Sequence, residues 1–251
     1  MRKAILCGSV ALLLAAVVWA GGEPWKTKPY QQWDAKDVRR VLDSSPWARA
    51  VDVDAPWKGG DAEGGGSDGS SAATPPGASR PGQGGGGRPG SGASNLGAGS
   101  QVALARFVVR WSSSRTIREA ILRAAILAGE VKEDAAAQQL GQPAEAYELV
   151  VAGPDMKPFQ SVDEKILENG TFLINKKTKQ KISPTSVQIK NSDDGKTIQS
   201  VAFFFPKKTE SGISTIAADE KTVDFSCVVT NVKIEASFDT TKMLDSEGRD
   251  L

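Results

Sequence analysis

Residues 59–100 constrain this chain more than any other stretch, because they hold sixteen of its 26 glycines, interspersed with Ser, Ala and Pro. Glycine loses more conformational freedom on ordering than any other residue, and a run without large apolar side chains buries nothing to offset that loss. The tract reads as a disordered linker. The core must then come from residues 21–58 and residues 101–251 on either side of it. A flexible chain of this length spans roughly 35 Å end to end. A domain of about 145 residues has a gyration radius near 15 Å, so the linker reaches any of its faces.

The first twenty residues set the address. Arg2 and Lys3 precede an apolar run over residues 4–19, and Val18-Trp19-Ala20 places small residues where a signal peptidase requires them. Residues 1–20 are therefore expected to be a signal peptide, with the working protein starting near Gly21 in the periplasm or outside the cell. Retention as an anchor is the alternative, for a run somewhat shorter than the roughly 20 residues of a span. No later segment is long and apolar enough to cross a membrane. Cys7 leaves with the signal, so Cys227 has no partner for a disulfide. It alternates with Val223 and Phe225, which puts all three on the buried face of a strand.

Residues 21–58 form a Trp-rich arm carrying Trp25, Trp33, Trp47 and Trp57. One short helix is expected there. Asp34 caps it, Asp37 places an acid on its positive first turn, and Val38, Val41 and Leu42 share a face. Pro46 stops it by forcing Ser45 out of the helical region. A helix of about ten residues is marginal alone, so its apolar face and its tryptophans need a surface to cover.

Residues 101–251 are expected to be an α+β domain. Alternation predicts a strand over 102–111, then a helix over 115–127 capped by Ser114 and ended near Gly129. Ile117, Ala120, Ile121, Ala124 and Leu127 line its apolar face. A second helical piece covers 133–140, and 147–151 is a strand ended by Gly153-Pro154. Residues 162–168 add a helical turn, with Asn169-Gly170 as a turn signal. Further strands are expected over 171–175, 185–190, 197–205, 222–229 and 232–238. Asp194-Gly195 is a hairpin turn, and Pro184 and Pro206 mark strand ends. The pattern implies an antiparallel or mixed sheet of about six to seven strands with one or two helices on one face, plus the tethered N-terminal helical arm.

The chain contains no histidine. That excludes Ser-His-Asp and Cys-His nucleophiles and histidine zinc sites, and a single mature cysteine excludes a thiolate zinc site. No Ser-x-x-Lys occurs. Gly195-Lys196-Thr197 lacks the earlier glycine of a phosphate loop, since Lys190 stands there, so no nucleotide cofactor is implied. Asp193-Asp194 and Asp219-Glu220 are paired acids at expected turns, where acids serve local hydrogen bonds. The lysines between Lys176 and Lys181 have no interleaved aromatics and read as a solvated hairpin face. Charges nearly cancel, with 31 Lys plus Arg against 30 Asp plus Glu, so no nucleic-acid footprint shows. No catalytic, cofactor or metal-binding residue stands out. The candidate binding residues are Trp25, Trp33, Trp47 and Trp57, either fastening the arm or stacking on a sugar or partner.

Trp33-x-x-x-Asp37-Val38-x-x-Val41-Leu42-x-x-Ser45-Pro46-Trp47-Ala48-Arg49 resembles the opening of a set of exported bacterial proteins typical of soil acidobacteria. Val109-Arg110-Trp111-Ser112-Ser113 with Ile117-Arg118-Glu119-Ala120, Phe203-Phe204-Phe205-Pro206-Lys207, and Lys242-Met243-Leu244 near Gly248 carry the same likeness. The resemblance implies export and a shared fold, and no activity. The leading expectation is a non-enzymatic periplasmic or cell-surface binding or structural module, with a glycan or an envelope protein as partner. The alternatives are a carboxylate-dependent glycoside hydrolase or other envelope hydrolase, and an envelope assembly component.

Overall fold

The computed structural model describes residues 22–58 and 103–251. The signal sequence, Cys7 and the glycine tract lie outside the described residues. The chain is α+β, and every strand pairing is antiparallel.

The arm contributes α1 (Pro24–Thr27), α2 (Ala35–Ser44) and β1 (Ala48–Asp54). Helix α2 starts on the expected acids. Asp34 accepts from the backbone of Lys36 and Asp37, while Asp37 accepts in return from Asp34 N. The helix ends at Ser44, and Ser45 is extended ahead of Pro46. Strand β1 was not expected. Its signal is the alternation of Val51 and Val53 with Asp52 and Asp54, half-buried against exposed.

From residue 104 onward come β2 (Leu104–Trp111), α3 (Arg115–Leu127), α4 (Glu133–Leu140), β3 (Ala146–Ala152) and α5 (Glu164–Gly170). Then follow β4 (Thr171–Asn175), β5 (Lys181–Ile182), β6 (Ser186–Asn191), β7 (Ile198–Pro206), β8 (Thr222–Val229), β9 (Val232–Asp239) and the small hairpin β10 (Leu244–Asp245) and β11 (Gly248–Arg249). Ser114 caps α3 by accepting from Ile117 N, and Gly129 takes φ +76° just past its end. The Asp194-Gly195 turn joins β6 to β7, with Gly195 at φ +69°.

The strands divide between a five-stranded sheet, ordered β1-β2-β3-β7-β6, and a four-stranded sheet, ordered β5-β4-β8-β9. The expectation of one sheet of six to seven strands therefore resolves into two. Strands β2, β3, β4, β7, β8 and β9 alternate buried with open residues, so each sheet has one face to bury, and those faces meet. Trp111 of β2 packs edge-on against Phe238 of β9 with ring centroids 5.3 Å apart, and Phe203 of β7 against Phe225 of β8 at 5.6 Å. Cys227 is buried between them.

The arm belongs to this core. Strand β1 pairs along its whole length with β2, and Trp33, Val38, Val41 and Trp47 join the same buried cluster. Helix α2 packs on α3, β1 and β2. At the tract, Asp54 lies opposite Leu104, and Ala55 N donates to Ala103 O at 2.7 Å. The two described ends flanking the tract are thus neighbours on adjacent antiparallel strands. The long reach expected of the linker is not required.

Two sequence expectations change. Asn169-Gly170 is the last turn of α5 rather than a separate turn. There a Cβ on Gly170 would stand 2.5 Å from Val228 O, so the helix end meets β8 backbone to backbone. On α3, Ile117 and Ala120 are buried, but Ile121 and Leu127 are each 47% exposed.

Candidate functional site

The four tryptophans separate by environment. Trp47 is fully enclosed, donates its indole N–H to Asp250 O at 2.7 Å, and packs edge-on to Trp25 with centroids 6.0 Å apart. Trp33 is buried and donates to Lys28 O at 3.2 Å. Trp57, half-buried, stands apart and donates to Asp155 Oδ2 at 2.8 Å. Trp25 is half-buried, and its indole N–H finds no acceptor among the described residues.

Trp25 and Trp33 share a cleft of about 460 Å³ with Tyr30. The arm forms one wall. Arg115, Thr116 and Glu119 of α3 form another, and Asp245 and Ser246 of the β10–β11 turn close it. The C-terminal residues hold this arrangement. The Asp250 carboxylate accepts from Arg115 N at 2.6 Å and Thr116 N at 3.0 Å, meeting the positive end of α3, while its backbone O holds Trp47. Burial raises the Asp250 carboxyl above its ordinary value, against those two backbone donors.

Glu119 is the chemically distinctive group of the cleft. Burial pushes its carboxyl up, Arg115 pulls it down through an ion pair at 3.2 Å, and the charges of Asp250 and Asp245 push it up again. Its neighbour Asp245 is committed to the hairpin turn, accepting from Glu247 N and Gly248 N. Tyr30 is half-buried, and Gln31 is exposed on the arm side. The cleft thus offers aromatic rings beside carboxylate, carboxamide, hydroxyl and guanidinium groups.

A second concavity of about 540 Å³ lies over the open face of the five-stranded sheet. Arg110, Glu148 and Val150 floor it, Ile121 and Leu122 of α3 wall it, and Leu42 comes from the arm. Burial raises the Glu148 carboxyl, and Arg118 opposes the rise.

Of the paired acids picked from sequence, Asp194 serves its own turn, while Asp219 and Glu220 also bridge to Lys177, more than forty residues away. Asp194 accepts from Ser192 Oγ and Lys196 N. Asp219 pairs with Lys177, while buried Glu220 accepts from the backbone of Lys177 and Thr222. Lys176 pairs with Asp224 at 2.6 Å. Sequence reasoning missed Tyr30, Glu119 and Asp245, which lie far apart along the chain and meet only through folding. Among the described residues, no group of acids and thiol is arranged to hold a metal ion, and no helix is long and apolar enough to cross a membrane.

The chain is thus defined as an antiparallel two-sheet α+β protein with the arm lining both of these concavities. Comparison with protein-family models, with curated proteins and with solved structures gives no match.

Proposed function

We propose that this chain is an exported, non-enzymatic binding module of the periplasm or cell surface, and that the arm cleft takes a glycan. The observation that carries the ligand is the meeting of half-buried Trp25 and Tyr30 with Gln31, Glu119 and Ser246 in one cleft. Sugars present C–H faces that stack on aromatic rings and hydroxyls that need donors and acceptors, and the cleft supplies both. The basic start, apolar run and small residues of positions 1–20 support the export part of the reading, as does the likeness to exported acidobacterial proteins. The tethered arm is then the element that completes the site.

Titration with chito- and xylo-oligosaccharides, read by tryptophan fluorescence, tests the assignment. Trp25→Ala is expected to weaken binding about tenfold or more, roughly 1.4 kcal/mol. Trp57→Ala, remote from the cleft, should leave it unchanged. Absence of oligosaccharide binding, or binding indifferent to Trp25, would overturn the glycan assignment.

One observation favours hydrolysis as a second reading. Glu119 and Asp245 line the same cleft, and burial biases Glu119 toward the protonated form a general acid needs. Against it, Asp245 is held by the backbone of its own turn. Release of reducing ends by the wild type, abolished in Glu119→Gln, would establish the hydrolase.

A further inference from the structure

The groove over the five-stranded sheet uses a different face of α3 from the arm cleft, Arg118, Ile121 and Leu122 in place of Arg115, Thr116 and Glu119. It continues past Leu42 and Arg110 into a second depression of about 360 Å³. That depression runs between Ala35, Val38 and Arg39 of α2 and Ala124 and Leu127 of α3. The groove's apolar stripe is formed by Leu42, Ile121, Leu122, Ala124 and Leu127, set among Ser112, Ser113, Gln139 and Gln142. Ile121 and Leu127, each 47% exposed, lie along it, where large aliphatic side chains gain nothing by facing water.

The charges on this track are mostly guanidinium. Arg110 donates Nε to Leu42 O and Nη2 to Asp43, which consumes that acid. Arg118 spends one N–H on the backbone O of Gln139. Arg39 is exposed and has no ion pair among the described residues. Glu148 is the other acid among the described lining residues; burial raises its carboxyl, and the charge of Arg118 opposes the rise. An apolar stripe flanked by the guanidinium groups of Arg39 and Arg118 matches a carboxylate head on an apolar tail, because the planar fork pairs with a carboxylate in two parallel hydrogen bonds.

We infer that this groove is a second binding site, for a single-chain amphiphile with a carboxylate head. The head lies against Arg39 or Arg118, and the tail runs along Leu42, Ile121 and Leu127. The site is independent of what the arm cleft binds.

Calorimetric titration of the full chain with dodecanoate, dodecanol and dodecylamine, each below its micellar concentration, tests the inference. Dodecanoate is expected to bind at least tenfold more tightly than dodecylamine. The double variant Arg39→Glu/Arg118→Glu should reverse that order. Ile121→Glu, at an exposed position that leaves the fold intact, should abolish binding of all three. Oligosaccharide binding at the arm cleft should survive both variants. Equal or tighter binding of dodecylamine, dodecanoate binding untouched by Ile121→Glu, or no binding of any of the three would overturn the site. So would a synthetic acidic amphipathic peptide that binds the groove where dodecanoate does not, because it would make the partner a polypeptide.

Discussion

Cys227 shows how one residue's chemistry follows from its place. It is fully buried on β8, and burial pushes its thiol up to about 11. The thiolate, which is the reactive form, is therefore scarce and enclosed at neutral pH. At pH 8 Cys227 of the native protein is expected to react with an aromatic disulfide reagent only as fast as the fold opens, and urea should make this thiol react rapidly. Fast labelling located at Cys227 of the native chain by peptide mapping would remove it from the core. The same burial acts in the opposite sense on function at Glu119, whose raised carboxyl remains at a cleft surface within reach of a ligand. Exposure, not the shift alone, separates an inert group from an available one.

At the scale of elements, the contact of α5 with β8 is the most exacting. A Cβ at Gly170 would stand 2.5 Å from Val228 O, and a backbone carbonyl on a paired strand cannot swing away. Gly170→Ala is expected to destabilise the fold by about 1–3 kcal/mol, the range for overpacking a tight site, measured by urea denaturation. A change below about 0.5 kcal/mol would show that the helix end yields. The sequence marked this glycine as a turn, because Asn-Gly has that local preference. A tertiary contact decides otherwise, using the missing side chain to bring two backbones together.

For the whole molecule, the decisive feature is that the glycine tract joins neighbours. Asp54 lies opposite Leu104, so the connection between β1 and β2 spans only the width of a strand pair. Replacing residues 59–102 with a four-residue turn is expected to keep the fold and raise its stability by up to about 2 kcal/mol, through the lower closure entropy of a short loop. A fall in the urea midpoint would mean the tract contributes contacts of its own. A chain starting at residue 101 lacks β1, Trp33 and Trp47, and so opens an edge of the five-stranded sheet and leaves a void in the core.

Much of this was legible from residues alone. The capping acids of α2, the Ser114 cap, the Asp194-Gly195 hairpin, the alternation of β7, β8 and β9, and the burial of Cys227 are set by neighbours a few positions away. Local sterics, capping and periodicity act at that range. Strand β1 was also written locally, in four alternating residues, but the acids among them masked it. Tertiary structure alone decided the rest: which strands share a sheet, that the arm supplies one of them, and that Asp250 meets the start of α3. It alone brought Trp25, Glu119 and Asp245 into one cleft. Alternation states which face of a strand is buried and is silent about what buries it. Partners far apart in the chain are chosen by packing the whole core at once, and both proposed binding sites lie where those distant choices meet.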